Sequence, residues 1–150
     1  MKILIISDTH GSHKNFDRVI EKERPLDMLI HLGDVEGDED YIPAVADCPV
    51  HMVRGNNDFF SGLPGEEEFM IGGYHIFITH GHGYYVSMGE ERLKQEARGR
   101  GADIAMYGHT HRPFYEKEMV EFPYSNCLFW IDLPFLFAFE KRNRDRKSVV

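Results

Sequence analysis

The stretch KILIISDTHG, from Lys2 to Gly11, sets a pattern that the rest of the chain repeats. Four apolar residues, Ile3 to Ile6, form a run of strand length, and Asp8 and His10 follow almost directly. A short apolar run rich in isoleucine is typical of a β-strand. The stretch therefore predicts a strand that delivers a carboxylate and an imidazole at its carboxyl end.

The same pattern occurs four more times. The later strand-like runs are MLIHL, VHMVR, YHIFIT and DIAMY, and the polar residues that follow them are Asp34, Asn56, His80, His109 and His111. In open α/β sheets ligands bind beyond the carboxyl ends of the strands, so we expect these side chains to converge with Asp8 and His10 on one rim. His31, His51 and His75 fall within or at the start of strands, and we expect packed or edge histidines there.

Helical patterns separate several of these strands. The segments 13–23 (HKNFDRVIEKE) and 89–101 (GEERLKQEARGRG) predict helices, and 39–47 (EDYIPAVAD) predicts a weaker one. Such alternation indicates an α/β fold, and Gly72-Gly73 predicts a tight hairpin within it. After Arg112 the strand-like segments FYEKEMVEF and CLFWIDLPFLFAFE follow without helices, and we expect both to form or extend a second sheet.

Composition limits the classes of protein that the chain can represent. Its 150 residues fit one domain, and a formal net charge of −8 argues against a broad nucleic-acid surface. Basic residues gather only in 141–150, where we expect a solvated tail. Cys48 and Cys127 lie far apart, which indicates neither a disulfide framework nor a zinc motif. That cysteine usage makes a reduced cytoplasm the expected location. The apolar runs are too short to span a bilayer, so we expect a soluble protein.

The seven polar residues at the strand ends form a coherent set of metal ligands. Two carboxylates, one amide oxygen and four imidazoles suit Mn²⁺, Fe²⁺, Zn²⁺ or Ni²⁺ better than calcium. Seven ligands are too many for one ion with an open position. They suit two ions about 3.5–4 Å apart that share a carboxylate, an arrangement that supports phosphoryl transfer.

Five blocks together resemble the calcineurin-like metallophosphoesterase superfamily, and especially its compact bacterial and archaeal phosphodiesterases. The blocks are SDTHG at Ser7 to Gly11, HLGD at His31 to Asp34, RGNND at Arg54 to Asp58, THGH at Thr79 to His82 and GHTH at Gly108 to His111. They occur in the family's order between Met1 and about Pro113. The resemblance implies an α/β/β/α sandwich of two mixed sheets flanked by helices.

The resemblance also implies a role for each matching residue. Asp8, His10 and His111 would bind one metal ion, Asn56, His80 and His109 would bind a second, and Asp34 would bridge the two. The implied activity is hydrolysis of small or activated phosphodiesters by a hydroxide held between the ions. Manganese is the favoured metal, with iron, nickel, zinc or magnesium as alternatives.

The stretch GNNDFF, from Gly55 to Phe60, departs from the family's pattern. Many members have a histidine after the ligand asparagine, where it acts on the leaving oxygen and is oriented by the next acidic residue. This chain has Asn57 followed by Asp58, and by position both are candidate catalytic residues. An amide cannot act as a general acid, although it can donate a hydrogen bond to a phosphate oxygen. His82 is a candidate replacement, with contact to phosphate as the alternative; His13 is a weaker candidate. The chain also lacks the NPGS-like turn that usually follows the GHTH block.

A second reading of the same sequence is a non-catalytic scaffold, since the eukaryotic retromer subunit resembles this fold but works through protein contacts. The complete set of seven ligands favours the enzyme, and the acidic balance argues against a nuclease. Tyr84 and Tyr85 either stack on a substrate or form a partly buried pair, and we favour the second. The aromatic C-terminal stretch is compatible with a homo-oligomer, and we expect no membrane partner.

Overall fold

The computed structural model describes residues 1–111 and the backbone of three later strands, at 114–119, 127–132 and 137–140. The strands in this described part are β1 (Lys2–Ile6), β2 (Met28–His31), β3 (Val50–Met52), β4 (Glu66–Ile71), β5 (Tyr74–Thr79), β6 (Ile104–Tyr107), β7 (Phe114–Met119), β8 (Cys127–Asp132) and β9 (Phe137–Glu140). The helices are α1 (His13–Glu23), α2 (Tyr41–Ala46) and α3 (Glu91–Arg100), with short 3-10 turns at His82–Tyr84 and Val86–Met88. All five strands predicted from apolar runs, and all three predicted helices, are present.

The strands form two mixed sheets. The first has the order β3-β2-β1-β9, in which β1, β2 and β3 are parallel and β9 is antiparallel to β1. The second has the order β4-β5-β6-β8-β7, with β5, β6 and β8 parallel and antiparallel strands at both edges. The predicted hairpin at Gly72-Gly73 joins β4 to β5, with Ile71 paired to Tyr74.

The alternation of side chains along β1 shows how the layers pack, because successive residues of a strand point to opposite faces of the sheet. Ile3 and Ile5 belong to a core that also contains residues of β4, β5 and β6, so this core lies between the two sheets. Leu4 and Ile6 pack instead with Phe16 of α1 and with residues of α2.

The second sheet has the matching arrangement on its outer face. Phe77 and Ala105 pack with Leu93 and Ala97 of α3, and the left-handed Gly101 ends that helix. The layers are therefore helix, sheet, sheet and helix, which confirms the expected α/β/β/α sandwich. Among the described residues no helix is both long and apolar enough to cross a membrane.

One prediction about the C-terminal strands is wrong. The segment 127–140 was expected to lie in the second sheet, but only β8 does so, while β9 pairs with β1 in the first sheet. β1 has β2 on one side only, so without β9 its other edge would present unpaired backbone N–H and C=O groups. An added antiparallel strand satisfies them.

The three histidines expected to serve structural roles do so. His51 stacks on Phe69 with ring centroids 3.7 Å apart, and His75 Nε2 lies 2.8 Å from Glu68 Oε2. His31 is fully buried, and its Nδ1 accepts a hydrogen bond from the backbone N–H of Gly33. Burial lowers the pKa of His31 to about 4, because the charged ring would lose its hydration.

The buried His31 should make the stability of the protein fall in acid. The unfolded histidine, with a pKa near 6.5, binds a proton that the folded one resists, so stability is lost as pH falls from about 6.5 toward about 4. This group alone should lower the free energy of unfolding by about 2 kcal/mol between pH 7 and pH 5. Urea unfolding of wild type and His31→Asn at both pH values measures it, and equal losses in the two proteins would contradict the assignment.

Candidate metal centre

The residues predicted as ligands lie where their strands end, and the backbone there is unusual. The left-handed region, with φ between 48° and 77°, is occupied by Asp8, His10, Asp34, His109 and His111. Few non-glycine residues adopt this conformation, which costs about 1–2 kcal/mol each and recurs at functional sites. Five of the seven predicted ligands therefore share a strained backbone that turns each side chain toward the same rim.

Hydrogen bonds tie these turns to one another. The backbone N–H of Asp8 donates to the Gly33 carbonyl, and that of His10 donates to the Asp34 carbonyl, both at 3.0 Å. The backbone N–H of His109 donates to Asp8 Oδ2 at 3.2 Å. The ends of β1, β2 and β6 are thus joined directly through the site.

The side chains form two adjoining groups whose candidate ligand atoms lie within 4.8 Å of one another. One group is Asp8, His10 and His111, and the other is Asp8, Asp34 and His80. The first matches the set that the resemblance implies for one metal ion. Asp8 belongs to both groups, whereas the resemblance assigns the bridging role to Asp34.

His80 is the most firmly oriented imidazole of the centre. It is fully buried, and its Nδ1–H donates to the Leu32 carbonyl at 2.7 Å, which leaves the Nε2 lone pair free. That Nε2 lies 3.1 Å from Asn56 Oδ1, 3.5 Å from Asp34 Oδ2 and 3.9 Å from Asp8 Oδ1. A carbonyl on the far nitrogen fixes the tautomer in the way seen for metal-binding histidines.

His109 lies beside the two groups without belonging to either, whereas His10 is a member of the first. The His109 ring is 5.1 Å from the His80 ring between centroids, and burial and the neighbouring His80 lower its pKa. His10 Nδ1 lies 2.7 Å from Glu36 Oε1. Burial pulls the pKa of His10 down, but Glu36 and the two nearby aspartates outweigh it and raise the pKa above its usual value.

Asn57 holds Asp34 and does not point into open space. Its backbone N–H donates to Asp34 Oδ1 and its side-chain Nδ2 donates to Asp34 Oδ2, both at 2.9 Å. The residue that replaces the family's frequent histidine therefore orients a predicted metal ligand. Nothing in the sequence pattern indicated that contact.

Asp58 connects two of the site loops. Its buried carboxylate accepts hydrogen bonds from the backbone N–H groups of Asp34 at 2.9 Å, Glu36 at 2.7 Å and Gly55 at 2.7 Å. Burial alone would raise the pKa of this carboxyl, but these bonds outweigh it and lower the pKa. Both oxygens face backbone amides, so the geometry makes Asp58 an organiser of the loops, where the sequence suggested a catalytic partner.

His82 lies close to the centre but outside both groups. It is exposed at the start of a 3-10 turn, with its ring centroid 5.5 Å from that of His80 and 6.2 Å from that of His109. Burial, followed by the charges of those two histidines, lowers its pKa. His13 is engaged elsewhere, bonded to Asp38 at 2.7 Å and stacked on Tyr41.

Tyr84 and Tyr85, the two tyrosines that follow His82, differ in burial. Tyr84 is half-buried, packs edge-on against Phe77 and donates to Glu66 Oε1, whereas Tyr85 is 51% exposed beside Arg92. The favoured expectation of a partly buried pair therefore applies to Tyr84 alone.

Glycines create the space in which the ligands sit. A Cβ at Gly55 would lie 2.0 Å from Asp34 Oδ1, and a Cβ at Gly108 would lie 1.9 Å from Ser7 Oγ. No side chain larger than hydrogen fits at either position without displacing the neighbouring group. Ser7 in turn donates to Asp8 Oδ2, a supporting contact that the sequence did not reveal.

The arrangement fits divalent metal ions on two observations. Among the described residues Asp8 Oδ1 is buried and makes no hydrogen bond, although His111 Nε2 lies 3.2 Å away. His80 Nε2 and Asn56 Oδ1 are two acceptors that face each other at 3.1 Å. Buried acceptors without donors are costly, and a cation satisfies both. Fold and site together define a candidate centre for divalent metal ions on the rim of an α/β/β/α sandwich.

Comparison with known proteins identifies the family. The sequence profile of the calcineurin-like phosphoesterase superfamily domain matches residues 1–128 of the chain. The match covers most of the sequence, so the chain belongs to this superfamily.

Individual relatives agree with that assignment. YsnB, a probable metallophosphoesterase of Bacillus subtilis, is 33% identical over 112 residues, which cover 74% of this chain but only 64% of YsnB. The phosphodiesterase YfcE of Escherichia coli K12 is 31% identical over 141 residues, covering 78% of this chain and 73% of YfcE. The chain thus spans less than two thirds of the length of YsnB.

A solved structure gives the same fold. Vps29 of Entamoeba histolytica, crystallised in complex with Zn²⁺, superposes with a TM-score of 0.66 at 26% sequence identity. The superposition covers 88% of this chain and 73% of Vps29.

Gly55→Ala should disrupt metal binding, because its Cβ would collide with Asp34 Oδ1. We expect affinity for Mn²⁺ to fall by at least about 10–100-fold, as for lost supporting contacts at other metal sites. Gly62→Ala is the matched control, since no atom of the described part of the chain lies within 4 Å of a Cβ there. Titration calorimetry of metal-stripped proteins measures the affinities for Mn²⁺. Equal affinities of the two variants would contradict the role of Gly55 in leaving space for Asp34.

Asp58→Asn should destabilise the whole rim. The amide brings a donor to a place where three backbone N–H groups need acceptors, so we expect a loss of about 2–3 kcal/mol in the free energy of unfolding. Asp40→Asn removes a carboxylate that is exposed and makes no cap hydrogen bond, and should cost under about 0.5 kcal/mol. Urea unfolding compares them; similar small losses would refute the structural role of Asp58.

Proposed function

We propose that this chain is a metal-dependent phosphodiesterase that hydrolyses small or activated phosphodiesters at a dinuclear centre. The observation that carries the proposal is the shared Asp8, whose buried Oδ1 makes no hydrogen bond to any described residue at the point where the two ligand groups meet. Membership of a superfamily of metallophosphoesterases supports the reaction class.

The proposed ligands are those that the family resemblance implies. Asp8, His10 and His111 would hold one ion, Asn56, His80 and His109 would hold the second, and Asp34 would bridge the two; the two groups of candidate ligand atoms at the rim support this assignment. When bound, such a pair of ions supplies Lewis acidity and a nucleophile from water near neutral pH. Mn²⁺ is the metal that we favour; Fe²⁺, Ni²⁺, Zn²⁺ and Mg²⁺ are alternatives for the same donor set.

The protein's own residues provide orientation. The Leu32 carbonyl keeps the proton of His80 on Nδ1, and Asn57 donates hydrogen bonds to both carboxylate oxygens of Asp34. These contacts hold the donor atoms in place before substrate arrives, and preorganisation of this kind reduces the cost of binding.

The amide at position 57 supports the proposed preference for activated esters, whose leaving groups need little help from a proton donor. Asn57 Nδ2 already donates to Asp34 Oδ2, and an amide has no proton to give as an acid. His82 is our candidate for protonating the leaving oxygen or for contacting phosphate, because its ring lies 5.5 Å from that of His80. General-acid assistance contributes about 10²–10⁴-fold for poor leaving groups and much less for good ones.

We extend the proposal to the domain organisation of the chain and to its location in the cell. The whole chain, 1–150, would act as one domain in the cytoplasm, which the separated cysteines and the free Cys48 support. The basic segment 141–150 and the side chains of the aromatic stretch lie outside the described residues. The solvated tail and the homo-oligomer therefore stay predictions.

The proposal is tested with metal-stripped protein and bis-p-nitrophenyl phosphate. We expect turnover to require added Mn²⁺ and to fall in Asp34→Asn by more than the roughly 10–100-fold typical of outer supporting residues. Asp40→Asn, which changes an exposed carboxylate, should retain wild-type turnover.

The other outcomes distinguish the alternatives. Two ions bound per chain without turnover on any phosphodiester would favour a non-catalytic scaffold of the same fold. If the protein binds no metal and hydrolyses no phosphodiester, the proposed dinuclear centre is refuted.

A further inference from the structure

We infer that Phe59 and Phe60 form a stacking platform for a planar, uncharged group of the substrate, and that the preferred substrates are phosphodiesters of nucleosides. This inference rests on the proposed phosphodiesterase function and names its substrate class.

The two phenyl rings are exposed to an unusual degree. Phe59 is 79% exposed and Phe60 is fully exposed, whereas Phe16 and Phe77 are buried in the cores. A single exposed apolar side chain is ordinary on a protein surface, but adjacent large ones beside a polar cleft indicate a binding surface.

The cleft that they line borders the metal centre. Its volume is about 520 Å³, and its lining residues are Glu36, Gly37, Glu39, Asn57, Asp58, Phe59, Phe60 and Ser61. Asn57 donates to Asp34, Asp58 accepts from the backbone N–H of Asp34, and Glu36 is bonded to His10. Three of the lining residues therefore contact predicted metal ligands directly. A phosphodiester reacting at the centre has two ester groups, and this cleft can receive one of them.

The loop that carries the rings is held firmly. The backbone N–H of Ser61 donates to the Asp58 carbonyl at 3.2 Å, and Leu63 N–H donates to Ser61 Oγ at 3.0 Å. The Asp58 carboxylate at the base of this turn is locked by backbone amides. The backbone that carries the two rings is therefore held in place relative to the centre, and the exposed rings can rotate to meet a planar ligand.

The charge of the cleft selects among planar groups. Glu36 and Glu39 line it and none of its eight lining residues is basic, so a second phosphate would be repelled. Carboxylates accept hydrogen bonds from amino groups, and aromatic side chains stack on nucleobases. An uncharged ring with amino donors, such as adenine or cytosine, meets both conditions.

The first experiment measures binding without turnover. Titration calorimetry compares adenosine 5′-monophosphate with ribose 5-phosphate, which differ only by the base, on Mn²⁺-reconstituted protein. We expect wild type to bind the nucleotide about 5- to 100-fold more tightly, the range typical of stacking on one base. The double variant Phe59→Ala/Phe60→Ala should lose that preference.

Met88→Ala is the matched control, because Met88 is 79% exposed but does not line the cleft. It should keep the preference for the nucleotide. Equal binding of the two ligands by wild type, or an undiminished preference in the double variant, would overturn the platform.

The second experiment separates this inference from the proposed function. Adenosine 5′-(p-nitrophenyl phosphate) and methyl p-nitrophenyl phosphate share a leaving group, and we expect the double variant to lower the ratio of their kcat/KM values through KM. Metal-dependent hydrolysis of both esters at equal efficiency by wild type would retain the phosphodiesterase and refute the platform. Hydrolysis of neither would refute the phosphodiesterase, and the binding comparison would still decide the platform.

Discussion

The Asp58 carboxylate holds together the rim on which everything else depends. It is buried, and it binds backbone N–H groups from the loop after β2 and from its own loop after β3. Charge-assisted bonds to backbone amides are among the stronger contacts available inside a protein. Because Asp34 and Asn56 sit in these two loops, one carboxylate sets the separation of ligands that belong to different strands.

The replacement of a frequent family histidine by Asn57 changes how the site is supported. The amide donates to Asp34 through its side chain while its backbone N–H donates to the other oxygen of the same carboxylate. The side chain at this position thus orients a predicted metal ligand, and an amide does not serve as a proton donor.

Much of the fold and of the site could be predicted from the sequence, for identifiable reasons. Continuous apolar runs located β1, β2, β3, β5 and β6, and polar residues directly after them located seven candidate ligands. Two groups of these ligands meet in the structure, with Asp8 in both. The placement of β9 beside β1 could not be read from the sequence, because strand pairing depends on which sheet edge is open.

The sequence by itself determined which polar side chains follow the strands, because strand length and residue type are local properties. Only the tertiary structure decided how those groups are held. The hydrogen bonds from Asn57 to Asp34 and the contact of Glu36 with His10 join residues from different loops. Such contacts depend on distances across the rim, and a linear pattern does not encode them.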